Sequence, residues 1–179
     1  MKIHTVILAA GEGSRMLSSK AKSLQPVGGR SMLKRIYETV QDITDEATFV
    51  VGYEKESIIK EANSFNGKIN ISEQKEAIGT ANAVKSSLDT ISSESKVLVL
   101  YGDVPLIQKN TLENLITSTT DSLTILTTLM DNPTGYGRVK KDSDGLAEAI
   151  VEEKDASNEE KLINEIFTGI LCCNKRLLE

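Results

Sequence analysis

The run Thr5-Val6-Ile7-Leu8-Ala9-Ala10 carries no charge and breaks off into Gly11-Glu12-Gly13. An apolar run of strand length that ends in turn residues reads as a buried strand. The pattern then recurs. Residues 48–51, 69–72 and 97–101 are strand-like, and helices are expected from Ser31 to about Gln41, from near Glu54, and over 80–88. Strands that alternate with helices predict a parallel or mostly parallel sheet with helices on its faces. The expected fold is α/β, a Rossmann-like three-layer sandwich around a mostly parallel mixed sheet.

Local signals place the rest. Ser31 reads as a helix N-cap, with Met32, Leu33, Ile36 and Val40 at helical spacing. Asn110 with Glu113 three residues on reads as a capping box. Residues 123–129 are strand-like again. Strands are expected at 145–152 and 165–172 around a charged helix at 157–162, and Leu177 and Leu178 read as the start of another helix. No repeat, low-complexity stretch or linker divides the 179 residues, so a single domain over 1–179 is expected, a length sufficient for one α/β core.

A formal net charge of -5 argues against nucleic acid as a partner, because a phosphate backbone calls for a basic surface. It leaves room for a small phosphorylated substrate held by a few local cations and a metal. No apolar run approaches the roughly 20 residues needed to cross a bilayer. With no signal-peptide pattern at the start either, no membrane partner and a cytoplasmic location are expected. Cys172 and Cys173 are adjacent and lack metal-ligand spacing, so they read as buried strand thiols.

The segment Leu8-Ala9-Ala10-Gly11-Glu12-Gly13-Ser14-Arg15-Met16 passes from a buried strand into a glycine-rich loop. Glycines let the backbone approach a ligand so that successive N–H groups face phosphate oxygens. Arg15 adds a planar, permanently charged fork, and Lys22 a second cation. Met16 stands where the dinucleotide fingerprint has its third glycine, and no Gly-Lys-Ser/Thr follows, so neither a dinucleotide fold nor a P-loop is indicated.

This loop, with Lys22 and Leu24, resembles the signature of nucleotidyltransferases acting on sugar phosphates. Glu73-Gln74 ahead of Ile78-Gly79-Thr80-Ala81, then Tyr101-Gly102-Asp103-Val104-Pro105-Leu106, narrow the resemblance. So do Asp131-Asn132-Pro133-Thr134-Gly135-Tyr136-Gly137-Arg138 and Ile150-Val151-Glu152-Glu153-Lys154-Asp155. Together they are similar to the bacterial N-acetylglucosamine-1-phosphate uridylyltransferases. The resemblance implies the nucleotide-diphospho-sugar transferase fold, with UTP and N-acetylglucosamine-1-phosphate as substrates and Mg2+ as cofactor, in cell-envelope precursor synthesis. It assigns Arg15 and Lys22 to the triphosphate as catalytic cations. The nucleotide would lie on Leu8, Ala9, Ala10, Gly11, Gly13, Gln74, Gly79 and Thr80, with Gln74 reading the uracil edge. Asp103 would hold the metal, and Tyr101, Gly137, Glu152 and Thr168 would line the sugar-phosphate pocket.

The sequence departs from the resemblance in places. Ala21 stands where a proline usually precedes the lysine, and Ala77 where the uracil segment has a polar residue. Phe167 stands where an asparagine usually touches the sugar, and a ring cannot replace an amide's donor and acceptor. Glucose-1-phosphate or dTTP therefore remain alternatives, as does a non-catalytic nucleotide-sugar-binding domain. The family domain continues beyond position 179 and supplies another metal ligand, followed in bifunctional members by a β-helix acetyltransferase. The chain is therefore expected to be a fragment, a monomer or weak oligomer of a trimeric parent. The attacking sugar phosphate is already an anion, so no protein base is needed; the lone His4 is expected to be solvated or at a strand edge.

Overall fold

A computed structural model describes every residue except Ser14, Arg15, Leu17, Ser19, Ala77 and Ile78. Arg15, assigned above to the triphosphate, and Ala77 thus lie outside the described residues. The chain forms two compact units, Met1–Thr124 with Leu171–Glu179, and Ile125–Ile170.

In the first unit the apolar run becomes β1 (Ile3–Leu8), whose Val6 and Ile7 are completely buried. The chain continues through the short hairpin β2 (Pro26–Val27) and β3 (Arg30–Ser31), α1 (Met32–Val40) and β4 (Glu46–Val51). Then follow α2 (Lys55–Ala62), β5 (Ile69–Glu73), α3 (Thr80–Ser86), β6 (Lys96–Tyr101) and α4 (Lys109–Ser118). Four strands run parallel in the order β5-β4-β1-β6. Residues 171–174 of β10 (Glu165–Asn174) extend the sheet antiparallel to β6.

Alternation along the strands sends successive side chains to opposite faces. Val6, Leu8 and Val50 pack with Ala83 and Val84 of α3 on one side. Phe49 faces the other side, its ring centroid 5.8 Å from Tyr37 of α1 and 5.8 Å from Phe65. Helices therefore cover both faces of a mostly parallel sheet, as expected. α1 begins where its cap predicts: Ser31 Oγ accepts the Lys34 amide at 3.0 Å. Such a cap contributes about 1 kcal/mol. Met32, Leu33, Ile36, Tyr37 and Val40 form its buried stripe.

Three local expectations are corrected. α4 starts at Lys109 after an extended Gln108, so Asn110 and Glu113 sit inside the helix rather than capping it. Burial of Leu112 and Leu115 sets that start, with the Leu112 amide closing the first turn on the Gln108 carbonyl. At 157–162 a reciprocal capping pair forms, Ser157 N to Glu160 Oε2 at 3.0 Å and Glu160 N to Ser157 Oγ at 3.1 Å. Yet only a 3-10 turn follows over Glu160–Leu162, because Leu162 is 80% exposed and no apolar stripe rewards propagation. His4 is neither solvated nor at an edge. It is buried on the central strand, with Nε2 2.7 Å from Thr48 Oγ1, which lies 2.7 Å from Thr90 Oγ1.

The second unit holds most of β7 (Thr124–Leu129), β8 (Arg138–Lys141), β9 (Ala147–Val151) and the first part of β10. β8 pairs antiparallel with β9 and with β10, and β7 also pairs with β10. Both cysteines are buried, unbridged thiols on β10. Among the described residues no helix is long and apolar enough to cross a membrane.

Candidate active site

The chain runs outward from β1 to β4 and β5, then returns to place β6 on the other side of β1. The strand order therefore reverses between β1 and β6, and ligands of open α/β sheets bind beyond the carboxyl ends of strands at such a point. Leu8 and Tyr101 are register partners at those ends. The 9–13 loop leaves beside Leu8, and Gly102-Asp103 leaves beside Tyr101.

These segments are tightly joined. The Gly102 amide donates to the Leu8 carbonyl at 2.8 Å. A Cβ on Gly102 would stand 3.0 Å from that oxygen, 3.2 Å from Ser23 Cβ and 3.3 Å from Ala9 Cβ. Gly13 has φ 64°, and a Cβ there would meet Lys22 Cβ at 2.6 Å. The glycine thus lets the loop fold onto the stem of Lys22. Gly11, by contrast, has nothing within 4 Å of an added Cβ.

A cleft of about 680 Å3 opens here. It gathers Leu8, Ala9, Ala10, Gly11, Gly13, Lys22, Gln74, Gly79, Thr80, Tyr101 and Asp103, all site residues expected from sequence. Lys22 Nζ and Asp103 Oδ2 form an ion pair at 2.5 Å, with the side chains 42% and 30% exposed. A pair so exposed contributes only about 0.2–1 kcal/mol, so incoming charges can redistribute it cheaply. Gln74 Nε2 donates to the Gly79 carbonyl and to Asn82 Oδ1, each at 3.1 Å. With the amide nitrogen so engaged, its Oε1 accepts no bond among the described residues. Tyr101 and Thr80 hydroxyls lie 3.1 Å apart, so Tyr101 sits beside a residue expected to hold the nucleotide.

Sequence reasoning missed Tyr53, Glu73 and Lys75 on the cleft wall. Glu73 ends β5, directly before Gln74. Its carboxylate holds Lys55 Nζ at 2.7 Å and pushes that amine's pKa up, chiefly through the hydrogen bond.

The remaining sugar-phosphate candidates lie in the second unit. Arg138 pairs with Val151 and Ile166, so the preceding Gly137 faces Glu152 on one side and Phe167 on the other. A Cβ on Gly137 would lie 3.5 Å from Glu152 Oε1, and the Phe167 amide donates to the Gly137 carbonyl at 3.0 Å. Gly137 and Glu152 are thus brought together, with Phe167 in the same cross-strand row. Thr168 follows onto the other face by alternation, and its hydroxyl donates to the Leu126 carbonyl at 2.7 Å.

Asp103 is the only carboxylate that sequence assigned to a metal, and among the described residues no group of three His, Cys, Asp or Glu side chains could cage an ion. A lone carboxylate fits magnesium that brings phosphate and water ligands with it, as this ion commonly does.

The family model for the MobA-like NTP transferase domain matches residues 5–155. The bifunctional protein GlmU of Francisella philomiragia is 45% identical over 100% of this chain and 39% of its own length. That of Ruthia magnifica is 44% identical over 99% of this chain and 39% of its own. The chain thus spans about two fifths of the length of these curated relatives. Among solved structures, HddC from Yersinia pseudotuberculosis matches with a TM-score of 0.72 at 22% identity, covering 98% of this chain and 78% of that one.

Proposed function

The chain belongs to the MobA-like NTP transferase domain family, and we propose that it joins UTP to N-acetylglucosamine-1-phosphate, yielding UDP-N-acetylglucosamine and pyrophosphate. The observation that carries this reading is the convergence of the 11–13 loop, Lys22, Asp103 and Gln74 on one cleft. Gln74 Oε1 matches the N3–H of uracil, a donor that cytosine lacks. The 11–13 loop and Lys22, with Arg15, would take the triphosphate. Gly137 and Glu152 would serve the sugar phosphate.

In the reaction a phosphate oxygen of the sugar-1-phosphate bonds to the α-phosphorus of UTP. The bond from that phosphorus to the bridging oxygen breaks, and its electron pair leaves on pyrophosphate. The nucleophile is an anion already, so the protein's task is to bring two polyanions into line. Asp103 would hold magnesium, which neutralises charge on the phosphates. Lys22, now paired with Asp103, would be free for the phosphates once that carboxylate served a metal. The resemblance of the sequence motifs to the N-acetylglucosamine-1-phosphate uridylyltransferases favours the N-acetyl sugar. Phe167, in the row of Gly137 and Glu152, favours a second reading with another sugar-1-phosphate.

Pyrophosphate release from UTP and N-acetylglucosamine-1-phosphate with magnesium tests the proposal, beside a glucose-1-phosphate comparison. Turnover that prefers the N-acetyl sugar and falls at least 100-fold in Asp103→Ala is expected. Turnover indifferent to Asp103 would overturn the assignment, and preference for glucose-1-phosphate would establish the second reading.

A further inference from the structure

The turn ahead of β8 is gripped by a charge that the chemistry above does not use. Arg138 is only 1% exposed, the largest fully buried side chain among the described residues. Its guanidinium donates to the Tyr136 carbonyl and to Glu153 Oε2, the latter at 2.6 Å. The same carboxylate oxygen accepts the Gly135 amide at 3.1 Å. Arg138 Nε has no partner among the described residues. Burying the guanidinium costs several kcal/mol in desolvation, which a partner whose side chain is 32% exposed offsets only in part. The pair is therefore poorly explained as a stabiliser. What it does geometrically is clamp Gly135 through its amide and Tyr136 through its carbonyl, on the approach to Gly137. That glycine in turn lies against Glu152. The amide of Gly135 and the guanidinium hold the Glu153 carboxyl below its usual pKa, so the clamp stays charged.

We propose that Arg138 and Glu153 are positioning residues: they hold the 135–137 turn so that the sugar moiety meets a preformed surface of Gly137 and Glu152. This rests on the sugar-binding reading of those two residues given above. The side chain of Glu153 is 32% exposed, so its replacement spares the buried core.

The test compares wild type, Glu153→Ala and Glu153→Gln. Calorimetry measures binding of UDP-N-acetylglucosamine and of UTP, and hydrogen exchange follows the 131–138 backbone. Glu153→Ala is expected to weaken UDP-N-acetylglucosamine at least tenfold, leave UTP within twofold, and speed exchange in the turn. Glu153→Gln, whose amide oxygen can accept from both donors, is expected to remain within threefold of wild type. Equal losses for both ligands, no rescue by glutamine, or unchanged exchange would overturn the proposal. A wild type that binds UTP but gains nothing from the sugar would instead refute the sugar reading of Gly137 and Glu152. Exchange in the turn would still show whether the pair fixes it.

Discussion

Replacing Gly102 with alanine tests whether the ends of β1 and β6 are packed as tightly as the cleft requires. The new methyl would sit 3.0 Å from the Leu8 carbonyl oxygen, 3.2 Å from Ser23 Cβ and 3.3 Å from Ala9 Cβ. All three neighbours are backbone or a first side-chain carbon, so none can swing aside. Relief has to come from separating the two strand ends. Overpacking of this kind costs about 1–3 kcal/mol. In a protein of this size that lowers Tm by about 2–12 °C. The separation also moves Asp103, the next residue, and a misplacement near 1 Å can cost on the order of 100-fold in rate. Gly11→Ala supplies the control, since its added methyl meets nothing within 4 Å. It should leave stability within about 0.5 kcal/mol while crowding the place where a phosphate would approach. Thermal and urea unfolding followed by circular dichroism, with pyrophosphate release, would measure both. A Gly102→Ala protein as stable as wild type would refute the packing argument, and a Gly11→Ala protein with full nucleotide affinity would refute the phosphate role of that loop.

Two further outcomes concern the core. Burial holds the His4 pKa below its usual 6.5, with the charge of Glu46 partly opposing. The neutral imidazole is thus favoured by the fold, so its contribution is fully present above 6.5 and is lost as pH falls through 6.5 toward the folded value. Urea midpoints between pH 7.5 and 5.5 should fall for wild type and fall less for His4→Gln; equal slopes would refute this. Burial also raises both thiols of β10, Cys173 to about 11. Since the thiolate is the reactive form, a disulfide reagent at neutral pH should label them only as the protein unfolds. Rapid labelling of either native thiol would contradict their burial.

Elements whose cause is local were legible in the sequence. α1 lies where Ser31 and its apolar spacing predict, and β1, β4 and β6 emerge from their apolar runs. β8 was missed because it opens on Arg138, which reads as a solvated charge until Glu153, fifteen positions on, is seen to neutralise it. The α4 cap failed because burial of Leu112, not the Asn110 side chain, decides where that helix begins. The cleft shows the same division. Lys22 and Asp103 were both assigned to it, but their mutual pairing depends on the parallel registration of β1 and β6. The Gln74 amide likewise finds Asn82 only once α3 has packed.

The buried chain from His4 through Thr48 to Thr90 bears on how the sheet is aligned. Apolar parallel strands can slide by two residues and still show the same faces to the helices, so burial alone discriminates weakly between alignments. A slide of β1 along β4 would strand the His4 imidazole inside the protein without its partner, at about 1–3 kcal/mol. It would also carry the 11–13 loop about 7 Å along the strand axis, away from Asp103. A polar contact at the start of β1 thereby acts as an index mark for the phosphate loop at its far end.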